Sequence, residues 1–183
     1  MAISHAAQIY AAAAVLTSST GAIFDIRSRR IPNALTGSAI VAGLAGHALL
    51  DGLSGLTTSF EAGLLCGLVF FLFFLAGGMG AGDVKLMTAL GCMMGISNVA
   101  SLMLLTALSG GVLAVGLALA RGRMKETLSN MGSLLVHHCA HGVAPHPDLN
   151  LDNPQTLRLP YGVAIASGSI LTVLIAVEQG GYR

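Results

Sequence analysis

Two aspartates stand at the ends of long apolar runs, where a carboxylate is costly to hold. Asp83 lies in Gly80-Ala81-Gly82-Asp83-Val84-Lys85, with an uncharged run over residues 64–76 before it and another over 86–120 behind it. Asp25 follows the first apolar run and opens the polar stretch Asp25-Ile26-Arg27-Ser28-Arg29-Arg30-Ile31-Pro32-Asn33. An Asp at the centre of a spanning helix costs about 2.5–3.5 kcal/mol, so an acid at a membrane boundary is by default a functional candidate. Two carboxylates brought together in a partly dry site cannot both ionise easily and hold one proton between them. The ionised member can activate a water while the other polarises or protonates a peptide carbonyl, which is hydrolysis by general acid–base catalysis. Gly80 and Gly82 would let backbone and substrate come close. The competing reading is electrostatic: Asp83 neutralised by Lys85 or a first-loop arginine, and Asp25 paired with Arg29 four residues on.

The composition fixes the medium in which this chemistry would occur. Of 183 residues, 54% are hydrophobic and only 9% charged, with a mean hydropathy of +0.78; soluble domains carry about 25% charged residues. The chain is therefore expected to be an all-α polytopic membrane protein with a single domain over residues 1–183. Nine basic residues, not gathered into one patch, are too few to track a phosphate backbone, so no nucleic-acid partner is expected. Cys66, Cys92 and Cys139 form no CxxC and read as small packing residues. No Lys or Arg precedes the first apolar run, so that run is expected to be a retained span and not a cleaved signal.

About 20 apolar residues cross a hydrocarbon core. On that measure the first span covers residues 6–24, and the second starts at the helix-opening Pro32 and Asn33 and runs to 50. Gly37, Gly43 and Gly46 along it suit close approach by a neighbour. A loop over 51–59 leads to a third span over 60–77, with Gly63 and Gly67 as a small-xxx-small pair and Phe70, Phe71, Phe73 and Phe74 facing lipid or filling the bundle. The next apolar run is too long for one crossing. A break at Gly95-Ile96-Ser97-Asn98 divides it into a short fourth span over 84–95 and a fifth over 99–120. Met124, Leu128, Met131, Leu135 and His138 recur at helical spacing, which predicts an amphipathic interfacial helix within the polar segment 121–160. Residues 145–160 read as loop, and a sixth span over 161–177 closes the bundle.

Six spans place Arg27, Arg29, Arg30, Lys85, Arg121, Arg123, Lys125 and Arg158 on one side and only Arg183 on the other. By the positive-inside rule the first side is cytoplasmic. Both aspartates then lie at the cytoplasmic face, the 121–160 segment lies with them, and both termini lie outside.

Other motifs compete less well. Gly52-Leu53-Ser54-Gly55 has the GxSG form of a serine nucleophile, with His47 near, but it falls in the outer loop and does not head a buried helix. The absence of HExxH removes a zinc protease. His137 and His141 form an i, i+4 pair beside His138, Cys139 and His146, yet no further ligands follow at an orderly spacing, and a solvated interfacial segment accounts for them; no metal or cofactor is expected. Acids beside a glycine break also mark ion sites in transporters, but the halves show no internal repeat and the acids lie at an edge. A non-catalytic six-span structural bundle is the remaining alternative.

Gly80-Ala81-Gly82-Asp83 matches the GxGD signature of intramembrane aspartyl proteases. With Asp25 and the Arg30-Ile31-Pro32-Asn33 segment, then Val84-Lys85, then Pro160-Tyr161-Gly162, the chain resembles the type IV prepilin peptidases, and most closely their small members from tight-adherence and Flp-type pilus systems. The resemblance implies an aspartic endopeptidase of the bacterial cytoplasmic membrane. It would remove the short basic leader of prepilins ahead of their hydrophobic helix, with Asp25 and Asp83 as the catalytic pair and Gly80, Gly82, Lys85, Arg30, Pro32 and Asn33 as the supporting loops. It further implies membrane lipid and the pilus secretion machinery as partners. Larger relatives carry an N-terminal segment with paired cysteines and also methylate the new N-terminus; with no such segment here, methylation is not expected. Val163 stands where many relatives have a second proline, and the Pro160-Tyr161-Gly162 segment is assigned no catalytic role.

Overall fold

In a computed structural model that describes residues 5–150 and 159–178, the chain folds into seven helices, with no strand among the described residues. They are α1 (His5–Ser28), α2 (Asn33–Leu50), α3 (Gly52–Leu75), α4 (Ala81–Met94), α5 (Ile96–Ala120), α6 (Met124–His141) and α7 (Tyr161–Glu178). Helices α1, α2, α3, α5 and α7 are long and apolar enough to cross a membrane. Helix α4, with 14 residues, is the expected short element: it reaches about 21 Å, less than the ~30 Å hydrocarbon core. Lipid offers no hydrogen bonds, so polar groups must be satisfied inside the protein. Hydroxyls on the spans accordingly bond back to their own helices, Thr20 to the Leu16 carbonyl at 2.7 Å, Thr88 to Val84 at 2.9 Å and Thr172 to Gly168 at 2.8 Å.

Helix α4 is the core around which the others stand. Leu86, Met87, Ala89 and Leu90 are fully buried and Cys92, Met93 and Met94 nearly so, because α1, α2, α3, α5 and α7 all pack against this one element. Small residues allow that crowding. A Cβ on Gly63 would lie 2.2 Å from the Cys92 Sγ, one on Gly91 2.6 Å from the Ala62 carbonyl, and one on Gly43 2.9 Å from the backbone of Cys92. Gly46 faces Tyr10, whereas nothing lies within 4 Å of Gly37, so that glycine makes no close helix contact. The outer surface is apolar: Leu64, Leu65, Leu68, Phe71, Phe73 and Phe74 are exposed, and of the four phenylalanines only Phe70 turns inward.

Several boundaries differ from the sequence expectation for identifiable reasons. Helix α1 does not stop at Phe24 but continues to Ser28, carrying Asp25 on its last turns; the Ser28 hydroxyl meets the Phe24 carbonyl at 2.8 Å and Arg27 complements the negative helix end. The expected loop over 51–59 shrinks to Asp51, because Thr57 and Thr58 bond the carbonyls of Ser54 and Gly55 and sustain helix. Helix α5 begins at Ile96, three residues earlier than expected. The break itself falls at Gly95, whose φ of +70° is strained for an L side chain. Helix α6 forms as the periodicity predicts and buries no residue, leaving Leu128, Met131 and Leu135 exposed. Asp152, Pro154, Arg158 and Arg183 lie outside the described residues. The remaining basic residues, Arg27, Arg29, Arg30, Lys85, Arg121, Arg123 and Lys125, gather at the end of the bundle where α1, α3 and α5 finish and α2, α4 and α7 begin.

Candidate active site

Three helix ends meet at this basic end. The last turn of α1 brings Asp25, which is buried, and its Oδ2 accepts the backbone N–H of Gly162 at 2.8 Å. Gly162 is the second residue of α7, so the carboxylate faces the positive end of that helix. A Cβ at this position would stand 2.8 Å from the Asp25 Cβ and 3.1 Å from its Oδ2, a space that only glycine leaves open. Asp83 occupies the first turn of α4, where a carboxylate is favoured by the helix dipole, and its Oδ2 accepts the Gly80 N–H at 3.3 Å in the manner of a capping box.

Both acids line one cavity of about 390 Å³. Arg30, Pro32, Asn33, Gly80, Gly82 and Lys85 line the same cavity, so the structure gathers all the supporting residues singled out in the sequence. Lys85 does not turn to Asp83; its Nζ donates to Asn33 Oδ1 at 2.9 Å and ties the start of α4 to the start of α2. Pro32, in extended conformation (φ −63°, ψ 136°), directs the chain into α2, and Ile31 packs on Gly82 so closely that a Cβ there would be 3.2 Å away. Among the described residues, the hydrogen bonds to both carboxylates use Oδ2. Such a pair can hold a water and a shared proton over a bound carbonyl.

One segment enters the site although the sequence reasoning assigned it no role. Pro160-Tyr161-Gly162 starts α7 and supplies the hydrogen bond to Asp25. A proline just ahead of an apolar helix at the basic end of the chain was the available signal, since such a start exposes backbone donors.

The rival motifs fall elsewhere. Ser54 is in the first turn of α3, not in a loop, and shares a separate cavity of about 260 Å³ with His47 and Asp51. The His47 ring nitrogens face Asp51 Oδ2 at 2.9 Å and the Met93 carbonyl at 3.2 Å, so neither is committed to Ser54 as a base. His137 stacks on His141 with ring centres 4.7 Å apart and lies 4.9 Å from His146. No group of three or more His, Cys, Asp or Glu among the described residues is arranged to hold a metal ion.

No curated protein and no solved structure matches the chain. The profile of the type IV leader peptidase family matches residues 11–115. That stretch is more than half of the chain and contains both aspartates, and the protein is a member of the type IV leader peptidase family, a peptidase built as a helical membrane bundle.

Proposed function

We propose that Asp25 and Asp83 are the catalytic dyad of an aspartic endopeptidase that removes the short basic leader from type IV prepilins of the Flp kind. The observation that carries the reading is the presence of both carboxylates in one cavity at the basic end of the bundle, each held by a backbone N–H. In the proposed reaction the ionised acid takes a proton from water as the oxygen attacks the scissile carbonyl carbon, and the protonated acid gives its proton to the carbonyl oxygen. The tetrahedral intermediate then breaks its C–N bond, the acids returning a proton to the departing amine and regaining their starting state. Asn33, Lys85, Gly80, Gly82, Pro32 and Arg30 hold the two acid-bearing ends in place. The gathering of arginines and lysines at that end favours a cytoplasmic orientation in a bacterial inner membrane. A leader retained in the cytoplasm, continuous with an apolar helix in lipid, would present its scissile bond at the depth of the acids. Anionic headgroups suit the basic rim, and the pilus secretion machinery would receive the processed product.

Asp25→Asn and Asp83→Asn, each co-expressed with a prepilin, test the assignment by leader removal on a gel. Each variant is expected to lose processing by about 10²–10⁴-fold, the range for a lost general acid or base, while still inserting in the membrane. Normal processing by both variants would make the acids structural and leave a transport or scaffold role for the bundle.

A further inference from the structure

The end of α4 remote from the acids is held by a set of side chains that the hydrolytic reading does not use. A helix leaves its last carbonyls without intrahelical partners, and within a bundle no water replaces them. In α4 three consecutive carbonyls each receive a side-chain donor from a different helix. The Ser59 hydroxyl of α3 meets the Cys92 carbonyl at 2.6 Å, His47 Nε2 of α2 meets Met93 at 3.2 Å, and Asn98 Nδ2 of α5 meets Met94 at 2.9 Å. All three donors are buried.

His47 extends this anchorage to the other acid-bearing helix. Its Nδ1 lies 2.9 Å from Asp51 Oδ2, and the same oxygen accepts the Tyr10 hydroxyl of α1 at 2.7 Å. The Tyr10 ring stacks on the imidazole with centres 3.9 Å apart. The imidazole therefore lies between the Asp51 carboxylate and the Met93 carbonyl, within hydrogen-bond distance of both. Tyr10 lies fifteen residues before Asp25, and Met93 ten residues after Asp83; at 1.5 Å per residue these are about 22 and 15 Å of rigid helix. A displacement at the His47 end is therefore carried along both rods to the carboxylates.

The geometry assigns His47, with Asp51 and Tyr10, as a positioning group that sets the register of α4 against α1 and so the approach of Asp83 to Asp25. This rests on the dyad reading for its catalytic consequence, though the register itself can be measured without turnover. The test uses the full chain in lipid nanodiscs with a synthetic prepilin peptide bearing a basic leader and an apolar helix. Spin labels at Arg27→Cys and Ala81→Cys, in a Cys139→Ser background, report the distance between the acid-bearing ends. His47→Leu is expected to shift or broaden that distance and to lower kcat by about ten- to hundredfold with KM unchanged, the cost of a misplacement of about 1 Å. His47→Gln, whose amide can still donate to the Met93 carbonyl, should recover most of both. A His47→Leu variant with an unchanged distance overturns the assignment, as does an unchanged kcat where Asp25→Asn and Asp83→Asn are inactive. Should that variant fail to assemble, Tyr10→Phe removes only the hydroxyl that meets Asp51 Oδ2 and is read in the same way. If Asp25→Asn and Asp83→Asn still cleave while His47→Leu shifts the distance, the register role stands and the dyad falls.

Discussion

Asp25 and Asp83 were legible in the sequence because an acid beside an uncharged run has few inexpensive explanations, and a glycine-flanked one fewer still. Their hydrogen-bond partners were less legible. Gly162 reaches Asp25 across 137 residues through a backbone N–H, a donor that every residue except proline carries and that no side-chain pattern announces. Its absent side chain gives a direct prediction: Gly162→Ala forces a methyl against Asp25, displacing either α7 or the carboxylate. Leader cleavage by the purified variant should fall by about ten- to hundredfold, mainly in kcat; activity within twofold of the parent would show that this contact does not position the acid. The proposed dyad also predicts a pH profile. Cleavage is expected to fall at low pH, where both acids are protonated, and at high pH, where neither can donate, so kcat plotted against pH should be bell-shaped with apparent values belonging to the pair. A rate that rises to a plateau and stays there would mean that no protonated carboxyl takes part.

At the scale of elements, the decisive feature is a helix too short to span, enclosed by helices that do. Length located its end: a run over 86–120 exceeds one crossing, and Gly95-Ile96-Ser97-Asn98 within it marked the turn. The start of α3 was misread for an equally physical reason. Ser54, Thr57, Thr58 and Ser59 resemble loop composition in water, but on a membrane helix the Thr57, Thr58 and Ser59 hydroxyls bond backbone carbonyls and the segment remains helical. The backbone of Gly95 (φ +70°, ψ 168°) predicts that Gly95→Ala destabilises the bundle by about 1–3 kcal/mol, the penalty of an L residue in a region that glycine alone enters readily. Thermal unfolding in detergent would register this as a lower Tm, and an unchanged Tm would show that the α4–α5 turn relaxes to another conformation. Gly63→Leu should do more, since its side chain has to enter the space of Cys92.

For the whole molecule, a polar end that carries the basic residues, the cavity and α6 must face one compartment together. Cys139 is exposed on α6, so a membrane-impermeant maleimide should label it in inverted vesicles and not in intact spheroplasts. Labelling from the outer side would reverse the orientation and separate the acids from a cytoplasmic leader. The charge count predicts the cytoplasmic orientation that this labelling tests, whereas the convergence of α1, α4 and α7 depended on packing against α4 that no periodicity encodes. The central claim is that two acids act as one unit, and the most direct test compares Asp25→Asn, Asp83→Asn and the double variant in single-turnover cleavage of a prepilin peptide. Groups that work together lose their function together, so all three should fall to the same residual rate. Single variants that keep a tenth or more of the activity, or a double variant whose loss is the product of two smaller ones, would contradict it.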